Sequence, residues 1–320
     1  MSEFYNDRLV AVTGATGLTG SYVVKALVDA GAKVRAITHQ RPMNEFTRLA
    51  QEHIEANLEN ASSTREAVRG CEIVVHAAGV TGGIPLAVRD PSLSVTANAV
   101  MSVRVLDACA KERVGRFAFL SSSTVYPPTS KPVTEEQAWN GEPYETYFGV
   151  GWTKRYLEKL CKFYSDRYQL QVAIIRPSAV YGRYDSFAED TSHIIPALIH
   201  RALAGARPFI LWGDGGDVRD FLHASDLATG VLLATEKSST CDPVNIASGE
   251  SCSTMHLAKI VLNVVGSNAP IAVDSSKPAA IRSMQVDISK ARRLLGFSPS
   301  VSLQGGIADT VKWYRERREN

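Results

Sequence analysis

Three glycines near the start of the chain have a spacing that suits phosphate binding. Gly14, Gly17 and Gly20 follow the apolar run 9–13 and precede a segment with helical periodicity. In such a unit Gly14 permits a tight turn, Gly17 lets the backbone approach a pyrophosphate, and Gly20 lets helix and strand pack closely. The N-terminus of the helix offers unpaired N–H groups and a partial positive charge to an anion. The pattern therefore predicts a dinucleotide-binding turn, because it lies between the first strand and the first helix.

The end of the second predicted strand, residues 33–38, carries information on the type of dinucleotide. An acidic residue at this place binds the ribose hydroxyls of NAD, but the segment 39–41 reads His-Gln-Arg. A carboxylate would repel a 2′-phosphate, whereas Arg35 or Arg41 would attract it. We therefore predict NADP(H) as the favoured cofactor and NAD(H) as the alternative. The arginines could instead be ordinary solvated side chains.

A run of hydroxyl side chains, Ser121–Thr124, follows the apolar strand predicted at residues 116–120. The carboxyl ends of parallel strands form the edge at which open α/β sheets bind ligands. We therefore expect these hydroxyls to act in a site rather than to form an ordinary polar strand end.

The elements that must hold these residues alternate between strands and helices in the first half of the chain. Strands are predicted at 9–13, 33–38, 72–76, 116–120 and 171–175, and helices at 22–30, 94–111 and 149–168. This alternation is typical of a parallel sheet covered by helices on both faces. After Pro177 the pattern is mixed, with helices at 193–204, 226–235, 255–265, 289–295 and 303–317, and strands at 208–212 and 244–247.

We therefore predict an α/β fold with a Rossmann-type doubly wound parallel sheet and a smaller C-terminal substrate-binding lobe. The dinucleotide-binding domain is expected at residues 1–180, with 222–248 returning to it. The lobe is expected at 181–221 and 249–320.

Composition and charge exclude several classes of protein. The 320 residues are 45% hydrophobic and 21% charged, which excludes a disordered or fibrous chain. A net charge of +2 is too small to indicate a nucleic-acid or membrane surface. The five cysteines are widely spaced, and no Cys-x-x-Cys occurs, so neither a disulfide framework nor a metal site is expected. Without a long apolar run or a leader-like N-terminus, we predict a cytoplasmic protein that binds neither nucleic acid nor membrane.

Further motifs make the chain resemble the extended short-chain dehydrogenase/reductase family, also called the NAD-dependent epimerase/dehydratase family, which acts on nucleotide sugars. Besides the glycine turn, the matching segments are His76–Ala78, Asn98, Ser121–Pro127, Tyr147–Arg155, Arg176–Gly182, Trp212–Gly215, Arg219–His223, Asp226 and Leu295–Pro299. Within that family the chain is most similar to the GDP-L-fucose synthases, through Gly79–Ile84, Val125–Pro127, Tyr181–Phe187 and Ser192–Leu198. Those enzymes epimerise C3 and C5 of a GDP-4-keto-6-deoxy sugar and reduce C4 with NADPH.

The resemblance implies roles for individual residues. Ser122 and Lys154 match the catalytic pattern, and His193 matches a partner acid of the fucose synthases. The cofactor-binding residues that we expect, besides Arg35 and Arg41, are Gly14, Thr16, Gly17, Leu18, Asn57, Leu58, Ala77, Ala78, Asn98, Lys154, Pro177 and Val180. The expected substrate-binding residues are Gly83, Ser123, His193, Trp212, Arg219 and Arg282.

Some of these residues have a structural alternative. His193 could cap the following helix, and Asn98 could be a buried, hydrogen-bonded amide. Trp212 could stack on a guanine or fill the core. For Arg219 the resemblance implies contact with the nucleotide pyrophosphate.

Two positions depart from the family pattern. The family places a catalytic tyrosine four residues before the lysine, but Val150 stands there, and no Tyr-x-x-x-Lys occurs in the chain. Thr124 stands where fucose synthases have an acid/base cysteine.

Three interpretations of the missing tyrosine remain open. Another group could supply the proton, namely Tyr147, Thr124, Ser122 or a water held by Lys154. The protein could catalyse a step that needs no tyrosine, or it could bind a dinucleotide without catalysis. A general acid or base typically contributes about 10²–10⁴-fold to a rate.

The function that we predict is NADP(H)-dependent modification of a nucleotide-linked sugar, with reduction of a 4-keto group as the leading reaction. The enzyme alternative is a 4-epimerase or dehydratase with tightly held NAD(P)⁺. The resemblance also implies a homodimer, formed through the helices predicted at 94–111 and 149–168.

Overall fold

A computed structural model of the chain describes residues 3–82, 89–188, 191–238, 240–276 and 282–319. The strands are β1 (Leu9–Thr13), β2 (Lys33–Thr38), β3 (Glu52–Glu55), β4 (Ile73–His76), β5 (Arg116–Leu120), β6 (Gln171–Pro177), β7 (Ala179–Tyr181), β8 (Phe209–Trp212), β9 (Val218–His223), β10 (Val244–Ile246), β11 (Ser251–Ser253), β12 (Ile271–Asp274) and β13 (Ser283–Met284). The helices are α1 (Leu18–Asp29), α2 (Ala61–Val68), α3 (Pro91–Lys111), α4 (Phe148–Tyr168), α5 (Ile194–Leu203), α6 (Ala224–Lys237), α7 (Thr254–Val265), α8 (Ser289–Leu295) and α9 (Leu303–Glu319).

The largest sheet has seven strands in the order β10-β6-β5-β4-β1-β2-β3. Every neighbouring pair in it is parallel. Its central strands are almost wholly apolar and buried, as expected when helices cover both faces. The strand order reverses between β1 and β4, which opens a crevice at their carboxyl ends. The predicted Rossmann-type fold is confirmed.

The strands of the second half other than β6 and β10 form two smaller sheets. β9 pairs with β7 and β13 in parallel and with β11 antiparallel, while β8 and β12 form a separate parallel pair. Buried residues of α5, α7 and α9, such as Leu198, Leu257 and Ile307, form a second apolar cluster with Phe209. The segment 284–297, in contrast, packs into the apolar cluster of the large sheet. The predicted domain boundaries stay a prediction.

The sequence pattern does not predict two elements of the first half, β3 and α2. β3 is an edge strand in which only Ile54 is even partly buried, so it shows no apolar pattern. α2 has eight residues and a polar sequence, and its start is set by the Asn60 side chain, which accepts a hydrogen bond from the Ser63 N–H. Both depend on tertiary packing more than on local periodicity.

One helix among the described residues is long and apolar enough to cross a membrane by length and composition alone. It is the stretch Ser92–Lys111 of α3. Core helices of water-soluble proteins pass the same test, and α3 packs against α2 and α4.

A buried ion pair joins the elements that end near the crevice. The guanidinium of Arg176 on β6 donates two hydrogen bonds to the carboxylate of Glu158 on α4, at 2.9 and 2.6 Å. It also donates to the Tyr126 hydroxyl at 3.1 Å and to the Glu135 carbonyl at 2.7 Å. The Ser121 hydroxyl, directly after β5, donates to the same Glu158 carboxylate at 2.5 Å. The network thus fixes β6, α4 and the polar segment after β5 relative to one another.

We predict that Arg176→Leu destabilises the protein by about 3–5 kcal/mol, because it leaves the Glu158 carboxylate buried without its partner. The two side chains are 1% and 4% exposed. The free energy of unfolding in urea measures the effect. As a control, Lys111→Ala removes the exposed Lys111–Asp107 pair and should leave the unfolding midpoint almost unchanged. Equal losses in the two variants would contradict the prediction.

Candidate active site

The glycine turn between β1 and α1 leaves no room for larger side chains. Gly14 has φ +63°, and a Cβ there would lie 2.6 Å from the Ala78 Cα. A Cβ on Gly20 would lie 2.1 Å from the Gly14 carbonyl oxygen. A Cβ on Gly17 would meet only that carbonyl, at 3.3 Å, so the other side of Gly17 is open. These positions agree with the role that the sequence predicts for each glycine.

The turn also suits an anion. α1 begins at Leu18, and no side chain caps it at Gly17. Amide groups of the first helical turn therefore remain available to a phosphate. The neighbouring Thr16 is 8% exposed, and its carbonyl accepts a hydrogen bond from the Asn44 side chain at 3.3 Å. These residues fit a dinucleotide pyrophosphate.

The carboxyl ends of β1 and β4 are joined beside this turn. The Thr13 hydroxyl accepts a hydrogen bond from the Ala78 N–H at 3.1 Å and shares another with Nδ1 of His76 at 2.8 Å. Nε2 of the same ring shares a hydrogen bond with the Ser102 hydroxyl on α3. Burial lowers the pKa of His76 to about 3, with the Lys154 charge acting in the same direction. This histidine is therefore a neutral structural link that holds Ala77 and Ala78 against the glycine turn.

The structure contradicts the prediction for Arg35. Its Nε donates to the Glu52 carboxylate at 2.5 Å, and its Nη1 donates to the carbonyls of Ala67 and Arg69 at 3.2 and 2.7 Å. The two carbonyls lie where α2 ends and Glu52 begins β3, so all three partners are at the amino edge of the sheet and not the carboxyl edge. The side chain turns away from the crevice because it already has a carboxylate partner there.

Arg41 remains a candidate for a 2′-phosphate. It is exposed, and it forms no ion pair with any residue in the described ranges. Its loop is tied to the glycine turn, because the Asn44 amide also donates to the Ser21 hydroxyl at 2.7 Å and the Thr47 hydroxyl donates to the Ala15 carbonyl at 2.9 Å.

The other predicted cofactor residues lie on neighbouring loops or strands. Asn57 and Leu58 follow β3, with Leu58 buried and the Asn57 side chain accepting a hydrogen bond from the Glu59 N–H. Pro177 ends β6, and Val180 lies in β7 beside Leu222. Asn98 on α3 is 5% exposed and hydrogen-bonds both backbone groups of Val80, at 2.7 and 3.0 Å. It is a buried, hydrogen-bonded amide that fixes the loop after β4. Gly83 lies outside the described residues.

Ser122 and Lys154 both lie near the carboxyl end of β5. The Lys154 Nζ donates to the Leu120 carbonyl at 2.7 Å and lies 4.9 Å from the centre of the Phe119 ring. The Ser122 hydroxyl accepts a hydrogen bond from the Thr124 N–H at 3.1 Å, which starts the short turn Ser123–Val125. Burial lowers the pKa of Lys154 to about 8, although the Glu158 carboxylate opposes this shift.

Tyr147 lies just before α4 and not in its first turn. It ends a short 3₁₀ turn, Glu145–Tyr147, while Val150 is in the helix and half-buried. The helix that carries Val150 and Lys154 therefore does not include Tyr147. Burial raises the pKa of its hydroxyl, with the Arg219 charge in opposition.

A second titratable group comes from the other side of the crevice. Nδ1 of His193 lies 3.2 Å from an Asp185 carboxylate oxygen. His193 precedes α5 but its side chain makes no capping hydrogen bond, which contradicts the helix-cap alternative. Burial lowers the pKa of His193, but the hydrogen bond and charge of Asp185 outweigh this and raise it overall, with Arg219 in opposition. Arg219 thus lies close enough to influence both His193 and Tyr147.

The remaining predicted substrate residues surround this region or lie on a separate loop. Ser123 and Thr124 are in the turn after Ser122, and the Thr124 hydroxyl oxygen is buried without a hydrogen-bond partner among the described residues. Trp212 is 40% exposed at the end of β8, so it does not fill the core. Arg282 is exposed and forms a two-point ion pair with Asp214 at 2.9 and 2.8 Å.

Sequence reasoning missed two carboxylates. Glu158 lies one turn after Lys154 on α4, and Asp185 lies eight residues before His193. The four-residue spacing from Lys154 to Glu158 was a usable signal. Asp185 had no such signal, because a loop brings it to His193.

Several known proteins are similar to this chain over nearly its whole length. Residues 10–247 match the NAD dependent epimerase/dehydratase family. "Probable GDP-L-fucose synthase 1" of Oryza sativa subsp. japonica is 32% identical over 96% of this chain and 92% of that protein. "dTDP-4-dehydro-6-deoxy-D-allose reductase" of Streptomyces bikiniensis is 28% identical over 98% of both. The crystal structure of UDP-glucose 4-epimerase from Thermotoga maritima with UDP-glucose superposes with a TM-score of 0.87, at 25% identity over 97% of this chain and 99% of that one.

The family match spans the glycine turn, the crevice and the strands that form them. With a relative above 30% identity over nearly the full length, the resemblance seen in the motifs is confirmed. The chain belongs to the NAD-dependent epimerase/dehydratase family.

Proposed function

We propose that the protein reduces the 4-keto group of a nucleotide-linked 4-keto-6-deoxyhexose with NADPH. Membership of the family and the named relatives support an NAD(P)-dependent enzyme that modifies nucleotide sugars. The observation that carries the finer proposal is an open glycine turn at the carboxyl end of β1 together with Ser122 and Lys154 near the carboxyl end of β5, on the same edge of the sheet with β4 between the two strands.

The residues of this chain divide the work. The N–H groups at Gly17 and Leu18 bind the pyrophosphate, and Lys154 holds the nicotinamide ribose. When bound, the reduced nicotinamide supplies a hydride to the substrate carbonyl carbon. Ser122 binds the C4 oxygen, and the guanidinium of Arg219, whose Nε is buried without a partner among the described residues, binds the nucleotide pyrophosphate.

Loss of the family cysteine at Thr124 favours simple reduction over epimerisation at C3 and C5. A threonine hydroxyl neither takes nor gives a proton readily near neutral pH, so it is a poor acid/base group for carbon. The relative named as a keto-sugar reductase agrees with this reading.

We predict that Lys154→Met lowers kcat/KM for NADPH-dependent reduction by about 100-fold or more, since the cation that orients the cofactor ribose is lost. Loss of NADPH absorbance is measured with dTDP- and GDP-linked 4-keto-6-deoxyhexoses as probes. Lys159→Met, an exposed lysine on the same helix, is the matched control. Unchanged turnover in the Lys154 variant would refute an enzymatic role for this lysine.

The loop after β2 supports a preference for NADP(H). Of the two candidate arginines only Arg41 is available, and the loop 39–41 carries no carboxylate. Arg41 would then pair with the 2′-phosphate.

Arg41→Ala should weaken NADPH binding by about 10-fold and leave NADH binding unchanged, because only NADPH has the phosphate. Titration of the nicotinamide fluorescence with each cofactor measures both dissociation constants. Equal effects on the two cofactors would show that Arg41 does not read the phosphate.

The enzyme alternative is a 4-epimerase that keeps its dinucleotide between turnovers. It is favoured by the likeness to a solved UDP-glucose 4-epimerase. Mass spectrometry of nucleotides released on denaturation separates the two functions. A retained oxidised dinucleotide favours the epimerase, and an empty protein that takes up NADPH reversibly favours the reductase.

We also propose a homodimer formed through α3 and α4. Four large apolar side chains, Phe148, Trp152, Tyr156 and Phe163, lie on one face of α4 and are 37–56% exposed. On α3, which packs beside it, Leu93 and Val100 are exposed. A continuous apolar face of this kind is typical of an interface between subunits.

Tyr156→Glu should convert the dimer to a monomer, because a carboxylate would be buried in the interface. Sedimentation velocity measures the mass in solution. Leu294→Glu changes an equally exposed side chain on α8 and should leave the mass unchanged. A monomeric unaltered protein would contradict the proposal.

A further inference from the structure

The site lacks the tyrosine that would give a proton to the substrate oxygen, so another group must do so. Val150 stands at that position, and it is half-buried in the first turn of α4. The candidate donors are the Tyr147 phenol, the Thr124 hydroxyl, the Lys154 ammonium and the His193 imidazole. The structure distinguishes among them.

Three of these groups are poor proton donors where they stand. The Thr124 hydroxyl is buried without a partner that would make it acidic. Burial raises the pKa of Tyr147, which weakens the phenol as an acid. The Lys154 ammonium already donates to the Leu120 carbonyl at 2.7 Å.

His193 has the arrangement of a general acid. Its Nδ1 is held at 3.2 Å by the carboxylate of Asp185, whose side chain is 6% exposed. The imidazole itself is 39% exposed, and its Nε2 makes no hydrogen bond with the described part of the chain. A base that is fixed at one nitrogen by a buried carboxylate and open at the other is a recurrent acid/base arrangement in enzymes.

The unused oxygen of Asp185 strengthens this argument. That atom, Oδ2, is buried and has no hydrogen-bond partner among the described residues. A buried carboxylate held by so few donors is costly unless a positive charge lies beside it. A protonated His193 supplies that charge.

We propose that the His193–Asp185 pair donates the proton to the substrate carbonyl oxygen in this chain, in place of the tyrosine that Val150 replaces. The inference rests on the proposed reduction and names the proton source for it. His193 is the catalytic residue, and Asp185 is a positioning residue that acts through it.

The step is balanced by two transfers to the ketone. A reduced nicotinamide dinucleotide supplies hydride, with its two electrons, to the carbonyl carbon, and the carbonyl π bond breaks. The proton on Nε2 of His193 passes to the carbonyl oxygen and completes the alcohol. The neutral imidazole then takes a proton from solvent.

The charges that face His193 set its pH dependence. Asp185, from the loop after β7, raises its pKa, and Arg219, from β9, lowers it. The pKa lies above the ordinary value of about 6.5. Because the protonated form is required, kcat should fall as the pH rises through this pKa.

The test compares the pH profile of kcat with an NMR titration of His193 in the protein without cofactor or substrate. Asp185→Asn removes the charge that raises the pKa, so the alkaline limb and the His193 titration midpoint should both move to lower pH, by roughly one pH unit. Lys154 also titrates, with a pKa of about 8. The Asp185→Asn substitution, however, leaves the groups that contact Lys154 unchanged. A shift that appears in both the pH profile of kcat and the NMR titration of His193 therefore identifies His193 as the acid.

Further variants sharpen the outcome. His193→Gln should lower kcat by about 10²–10⁴-fold and abolish the alkaline limb. His200→Gln changes a histidine within α5, the helix that His193 precedes. This variant should retain the kcat and the alkaline limb of the unaltered protein. The double variant Val150→Tyr/His193→Gln should recover part of the lost rate, because it restores a phenol beside Lys154.

Each other result overturns the inference in a distinct way. A His193 midpoint that moves in Asp185→Asn while the kcat profile stays fixed shows that His193 is not the acid. A greater loss of kcat in Tyr147→Phe than in His193→Gln would show that Tyr147 donates the proton. An unaltered protein that binds NADPH but reduces no 4-keto sugar overturns the proposed function, and this inference with it.

Discussion

The buried pair of Arg176 and Glu158 is the constraint on which the rest of the site depends. An ionised pair that is almost fully removed from water is tolerated only when its remaining hydrogen bonds are made. Here Ser121, Tyr126 and the Glu135 carbonyl complete them. These partners come from distant parts of the chain, so satisfying one pair of charges fixes several loops.

The position of Lys154 follows from this pair. Lys154 and Glu158 are one turn apart on α4, so the carboxylate that holds Arg176 also sets the rotation of the helix. The lysine is thereby directed to the Leu120 carbonyl, next to Ser122. The same lysine is partly removed from water, which lowers its pKa and makes its charge sensitive to what fills the crevice.

The two sides of the crevice divide the chemistry. The glycine turn and Ser122 follow strands of the large sheet, and Lys154 lies on α4; in the proposed function these residues bind and orient the cofactor and the substrate. The segments after β7 and along β9 supply His193, Asp185 and Arg219, which carry charge toward the same space. In the proposed mechanism, where Val150 stands in place of the family's tyrosine, the charged groups of the second side supply the proton. A change of one residue in a helix would then move the proton donor across the site without altering the fold.

The sequence by itself determined the parallel sheet and the glycine turn. Each of these depends on local pattern, since apolar runs, glycine spacing and helical periodicity are properties of neighbouring residues. Only the tertiary structure decided that Arg35 turns to Glu52 at the far edge of the sheet, and that Asp185 meets His193. It also decided that Tyr147 precedes α4 instead of lying in its first turn. The reason is physical: the direction of a long side chain depends on which opposite charge or unpaired carbonyl it reaches, and such partners are brought together only when the chain folds.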